Sequence, residues 1–163
     1  MYQSLLGIFL ALFFLSGCHH APVPPDVSLE AQLRAVPNTN ADEAARLAHE
    51  AHTYAQVLKA RYGATSVPRL HNLWVNLGVK DRGLCWHYAH DLFWHVRSLE
   101  LKSYESIIVV ANLGSYWTEH SAVVVTCKGC GIIQGVVLDA WRSPEGLFYT
   151  PVTKDPSYTW ERR

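Results

Sequence analysis

Charge is scarce in this chain and cancels: 14 Lys and Arg stand against 14 Asp and Glu in 163 residues, for a formal net charge of zero. No basic stripe stands out, which excludes nucleic acid as an expected partner, because phosphate neutralisation needs clustered Lys and Arg. The apolar run from Leu5 to Leu15 holds eleven residues, short of the roughly 20 that span a bilayer. The helical pair His49 and His52 lacks a carboxylate or third histidine in reach, so it reads as solvated helix face. No His-X-Glu accompanies Cys127-Lys128-Gly129-Cys130, which disfavours a deaminase-type zinc site. What the chain does have is 49% hydrophobic residues, six Trp and eight Tyr. That composition suits one compact domain with a real core and argues against a disordered or fibrous chain.

The apolar run has the length of a signal-peptide core. Leu15-Ser16-Gly17-Cys18 follows directly and resembles the lipobox of bacterial lipoproteins, although Met1 to Ser4 contains no Lys or Arg. The resemblance implies acylation of Cys18 and anchorage to a membrane through that lipid. His19 rather than Asp after the cysteine implies the periplasmic face of the outer membrane, an oxidising compartment. The expected organisation is a signal peptide over 1–17, a proline-rich tether over 18–27 and one domain over 28–163. His19 and His20 read as polar linker.

Ser28 to Arg34 suggests a short helix ended by Pro37. Ala44, Leu47, Ala51, Tyr54, Ala55, Leu58 and Tyr62 recur at helical spacing over 41–62, with Asn40 or Asp42 as cap and Gly63 closing the helix. Thr65 to Gly78 is less regular. Cys85 then follows a glycine turn and opens an amphipathic helix reaching about Leu101. A thiol there sits at the positive end of the macrodipole, beside N–H groups with no intrahelical partner. That setting favours thiolate, the nucleophilic form. His87, two residues on, cannot face it, because i and i+2 point apart on a helix. A thiol attacking a carbonyl also needs donors for the oxygen that becomes negative. The Cys85 N–H is one; the second is open among Trp74, Asn72 and Asn76.

After Ser103 the pattern turns to strands, at 106–111, 120–126, 132–140 and 147–152. Strands in series after helices predict an α+β domain, with N-terminal helices packed on an antiparallel sheet. His120 opens one strand and Asp139 falls near the end of the next, so a hairpin sets them side by side. In that geometry a carboxylate holds one imidazole nitrogen while the other faces a thiol.

Gly83-Leu84-Cys85-Trp86, His120 heading a hydrophobic strand, and Val137-Leu138-Asp139-Ala140 together resemble the transglutaminase-like superfamily over roughly Val67 to Val152. Ser121-Ala122 stand where that family often has an aromatic or Val. The NlpC/P60 peptidases are less similar, since their cysteine usually lies in an Asp-Cys-Ser-Gly setting. The resemblance implies a papain-like core with Cys85 as nucleophile, His120 as general base and then acid, and Asp139 orienting His120. It implies a cysteine hydrolase of peptidase or amidase type, acting without cofactor or metal on a peptide, protein or cell-envelope substrate. The alternative is a non-catalytic lipoprotein that binds such a partner in the same groove. With Cys18 acylated and Cys127 paired to Cys130, Cys85 is left as the free thiol. The pair between strands reads first as a turn disulfide, with a redox pair or half a zinc site still open.

Overall fold

The structure is a computed structural model that describes residues 28–65, 67–143 and 146–163. The expected signal peptide, the Cys18 lipidation site and the tether lie outside the described residues. No described helix is long and apolar enough to cross a membrane.

Among the described residues four α-helices precede the strands: α1 (Leu29–Arg34), α2 (Ala41–Tyr62), α3 (Pro68–Asn76) and α4 (Cys85–Ser98). Asn40 caps α2 by accepting from the N–H groups of Asp42 and Glu43, and Gly63 ends it in the left-handed conformation at φ 55°. The buried stripe of α2 includes Ala44, Leu47, Ala51, Ala55 and Leu58. Its alanines let the helix approach α4 closely, and Leu92 and Val96 of α4 enter the same core. α3 replaces the irregular stretch expected over 65–78. It has Pro68 in its first turn, no side-chain cap, and only His71 buried. With so little of α3 buried, the sequence carries no core-facing stripe to announce it.

The strands are β1 (Tyr104–Ala111), β2 (His120–Cys127), β3 (Val136–Asp139), β4 (Phe148–Pro151) and β5 (Glu161–Arg162). They form one antiparallel sheet in the order β4-β3-β2-β1-β5. The domain is therefore α+β. β3 starts at Val136, later than expected, because Ile132–Gln134 forms a 3-10 turn. Gly135 then leads into β3, at a place where an added Cβ would lie 2.6 Å from the Val125 carbonyl oxygen. β5 was not expected; it pairs with Val109 and Val110 at the far edge.

Every residue of β2 is buried, because the sheet is covered on both faces. Val123, Val125 and Leu138 pack with the helices, while Ala122, Val124 and Val137 pack under Trp160, Tyr158 and Val152. A strand covered on both sides loses the apolar–polar alternation, which accounts for the Val123-Val124-Val125 run. β2 and β3 pair from Val125↔Val136 to Val123↔Leu138. The start of β2 and the end of β3 therefore lie together, and they carry His120 and Asp139.

Candidate active site

Cys85 is the first residue of α4 and the free cysteine of the described residues, half-buried rather than sealed. The turn that presents it is built around two histidines. His87 Nδ1 accepts from the N–H groups of both Gly83 and Leu84 at 3.1 Å. His87 is thus a helix cap and not a base, and two bonds to one ring nitrogen need it unprotonated. Burial, with the Arg82 charge behind it, lowers its pKa and keeps it so. On the other side, His71 Nε2 donates to the Arg82 carbonyl at 3.0 Å. Gly83 lies against that ring at φ +127°, and an added Cβ would come within 2.0 Å of His71 Nε2. Glycine is required here twice, by conformation and by space.

His120 Nε2 donates to Asp139 Oδ2 at 2.6 Å, with both side chains almost wholly buried. The Nε2 bond leaves Nδ1 for the thiol. Burial opposes charge on the ring, but the Asp139 charge and hydrogen bond outweigh it. A weaker hydrogen bond and charge from Cys85 add to them, and the pKa rises to about 9. The buried Asp139 carboxylate thus favours the charged form of the His120 ring. His120 and Asp139 are thus paired from the start of β2 and the end of β3, and Cys85, at the start of α4, lies near enough to act on the His120 ring.

Asp139 is held by more than His120. Its Oδ1 accepts from the N–H groups of Trp141 and Arg142, each at 3.0 Å, and its Oδ2 also accepts from Arg142 Nε at 3.1 Å. Burial pushes the carboxyl up; the His120 charge and hydrogen bond, with Arg142 behind them, hold it below the usual range. Arg142 turns the rest of its guanidinium to Asp155 in a bidentate pair of 3.0 and 2.8 Å. Asp155 further accepts from Ser157 N–H and Trp160 Nε1. Rings surround the imidazole: Tyr158 stacks at 4.7 Å, with Trp141 at 5.0 Å and Trp160 at 5.7 Å.

Sequence reasoning missed Arg142, Asp155, Tyr158 and Trp160. The available signal was the C-terminal Asp-Pro-Ser-Tyr-Thr-Trp run, rich in aromatics but without the strand pattern that would have placed it on the sheet. Of the three oxyanion candidates, Asn72 is tied to the site, since its Oδ1 accepts from Trp141 Nε1 at 3.1 Å. Trp74 lies with its ring 6.0 Å from Lys80 Nζ, and Asn76 is exposed at the end of α3. The described contacts of these two do not reach the triad.

Cys127 and Cys130 form a disulfide with Cα atoms 5.2 Å apart, joining the end of β2 to the following turn. His49 and His52 are exposed, and the His52 ring meets Tyr149 edge-on at 5.5 Å. Among the described residues no group of three or more His, Cys, Asp or Glu is arranged to hold a metal ion.

In comparison with known proteins, no family model matches this chain, and neither a curated protein nor a solved structure proves similar to it.

Proposed function

We propose that this chain is an exported, lipid-anchored cysteine hydrolase with a transglutaminase-like, papain-like core, acting on amide bonds of a peptide, protein or other envelope substrate. The observation that carries this reading is the meeting of a helix-opening Cys85 with a His120 bonded to buried Asp139 at 2.6 Å. A thiol, an imidazole and a carboxylate in that series are the parts of nucleophilic acyl transfer.

In the first half-reaction the Cys85 thiolate attacks the carbonyl carbon, forming a C–S bond while the carbonyl electrons move to oxygen. The Cys85 N–H, with no intrahelical acceptor in the first turn, donates to that oxygen. The Asn72 amide supplies the second donor. As the C–N bond breaks, His120 gives its proton to the departing amine. Neutral His120 then takes a proton from water, whose oxygen attacks the thioester carbonyl. The C–S bond breaks, releasing the acid and restoring thiolate and imidazolium. Asp139 keeps Nε2 protonated and the ring turned, so that Nδ1 carries every transfer.

A second reading is a lipoprotein that binds an envelope partner without turning it over. It is favoured by Tyr116 and Trp117, 81% and 88% exposed on the loop that leads into His120. Iodoacetamide labelling of the folded protein followed by mass spectrometry separates the two. Selective alkylation of Cys85 near neutral pH, lost in His120→Ala, is expected for the hydrolase; an inert Cys85 would sink it. An acylating activity-based probe then reports whether a thioester forms and turns over.

A further inference from the structure

Asp139 has one oxygen whose bonding can vary. Oδ1 is occupied by two backbone N–H groups of its own turn, those of Trp141 and Arg142. Oδ2 is shared between two cations, His120 Nε2 at 2.6 Å and Arg142 Nε at 3.1 Å. A carboxylate oxygen that gives more to one donor gives less to the other.

The Arg142 guanidinium is not free to drift. Both of its terminal nitrogens engage Asp155, whose side chain is fully buried, and its plane lies 3.7 Å from the Phe148 ring centroid. Asp155 is itself fixed by Trp160 Nε1 at 2.9 Å and Ser157 N–H at 3.0 Å. The segment carrying these groups also lays Tyr158 and Trp160 on the imidazole. A mere cross-link between β3 and the C-terminal segment would need only the Arg142–Asp155 fork. Here the remaining Nε engages the carboxylate that holds His120. Only arginine offers a fork and a third, divergent N–H at once.

Building on the triad reading, we propose that Arg142 and Asp155 are positioning residues: Arg142 competes with His120 for Asp139 Oδ2, and Asp155 sets the strength of that competition. The charged and titratable groups acting here are Cys85 from α4, Asp139 from β3, Lys59 from α2 through Asp139, and Tyr158, Arg142 and Asp155 from the C-terminal side. Loss of Asp155 frees Arg142 to draw on Asp139, weakening its hold on the His120 proton. Loss of Arg142 and Asp155 together gives Oδ2 to His120 alone and strengthens it. The two changes therefore move His120 in opposite directions.

The test is a histidine-labelled NMR titration of the purified whole chain in a Cys85→Ala background. Asp155→Asn is expected to lower the His120 midpoint, and Arg142→Gln with Asp155→Asn to raise it. Each shift should be at least about half a pH unit, a roughly threefold change in the imidazolium-to-imidazole ratio. Shifts of the same sign, or none, in variants that keep the parent's near-ultraviolet circular dichroism would overturn the proposal. If either of these fails to fold, Arg142→Lys decides: its charge stays with Asp155 but loses the reach to Asp139, so the midpoint should rise, and an unmoved one counts as refutation. With Cys85 present, the alkaline limb of its iodoacetamide reactivity should follow each midpoint. An inert Cys85 in the parent protein would remove the hydrolase reading while leaving the NMR result to judge the relay.

Discussion

His87 accepts from the backbone N–H of Gly83 at 3.1 Å, and the same Nδ1 atom also takes the Leu84 N–H. The residue two positions from Cys85 thus shapes the turn that presents the thiol, without touching the chemistry. Burial, with the Arg82 charge, lowers its pKa, so the native state favours the neutral ring. A lowered histidine contributes stability that is present above its unfolded value of about 6.5 and is lost as pH falls toward the folded value. Acidification below about pH 6 should therefore lower the melting temperature of the parent more than that of His87→Asn. His87→Ala leaves two N–H groups without an acceptor and should cost about 2–4 kcal/mol by denaturant titration. Equal acid sensitivity in parent and His87→Asn would refute the cap's role.

The His120–Asp139 pair makes the opposite prediction at high pH. A raised pKa of about 9 means stability fully present below the unfolded value of about 6.5 and lost as pH rises through the folded one. Thermal melts from pH 6.5 to 9.5 should show this alkaline loss in the parent. In Asp139→Asn, which removes the charge holding the imidazolium, the loss should shrink, and Cys85 alkylation at pH 7 should slow by at least about tenfold. An Asp139→Asn protein with the parent's alkaline profile would separate His120 from Asp139 energetically.

Gly83 and Gly78 both have positive φ, yet only Gly83 is sterically closed. An added Cβ meets His71 Nε2 at 2.0 Å at Gly83 and nothing within 4 Å at Gly78. Gly78→Ala should cost about 1 kcal/mol from backbone strain alone. Gly83→Ala should cost about 3 kcal/mol or more and displace the start of α4, so that Cys85 loses reactivity even in the folded fraction. Similar losses of stability in the two variants would contradict the close packing of His71 on the turn.

The Cys127–Cys130 disulfide closes a very short loop, remote in role from Cys85. Replacing both with serine should cost about 2 kcal/mol by the loop-entropy relation, while the rate of Cys85 alkylation stays unchanged. A parallel loss of Cys85 reactivity in the folded double variant would show that the disulfide supports the site.

The fold was legible wherever one face of an element is buried and the other is not. The stripe from Ala44 to Tyr62 marked α2 correctly because α2 has a solvent side. α3 was not legible because its Leu70 and Leu73 are exposed and only its His71 is buried. Ile132 and Ile133 looked like strand by composition, yet Gly135 beside the Val125 carbonyl sets where pairing begins. The places of Cys85, His120 and Asp139 in the fold were readable because each lies at an element end that the sequence marks. The partnership of Arg142 and Asp155 was not, since neither sits in a pattern and they stand thirteen positions apart.

By itself, then, the sequence determined the elements whose pattern is periodic, the helix that begins at Cys85, and the hairpin order that brings His120 toward Asp139. These follow from local propensities and from side-chain alternation, which act over a few residues. Tertiary structure alone decided which oxygen of Asp139 serves two cations, that His87 caps a turn, and that Tyr158 and Trp160 close over the imidazole. Those facts depend on the C-terminal segment folding back across the second face of the sheet to reach β1. That placement is fixed by burial of Trp160 and by the Arg142–Asp155 pair, contacts between residues that no short-range pattern connects.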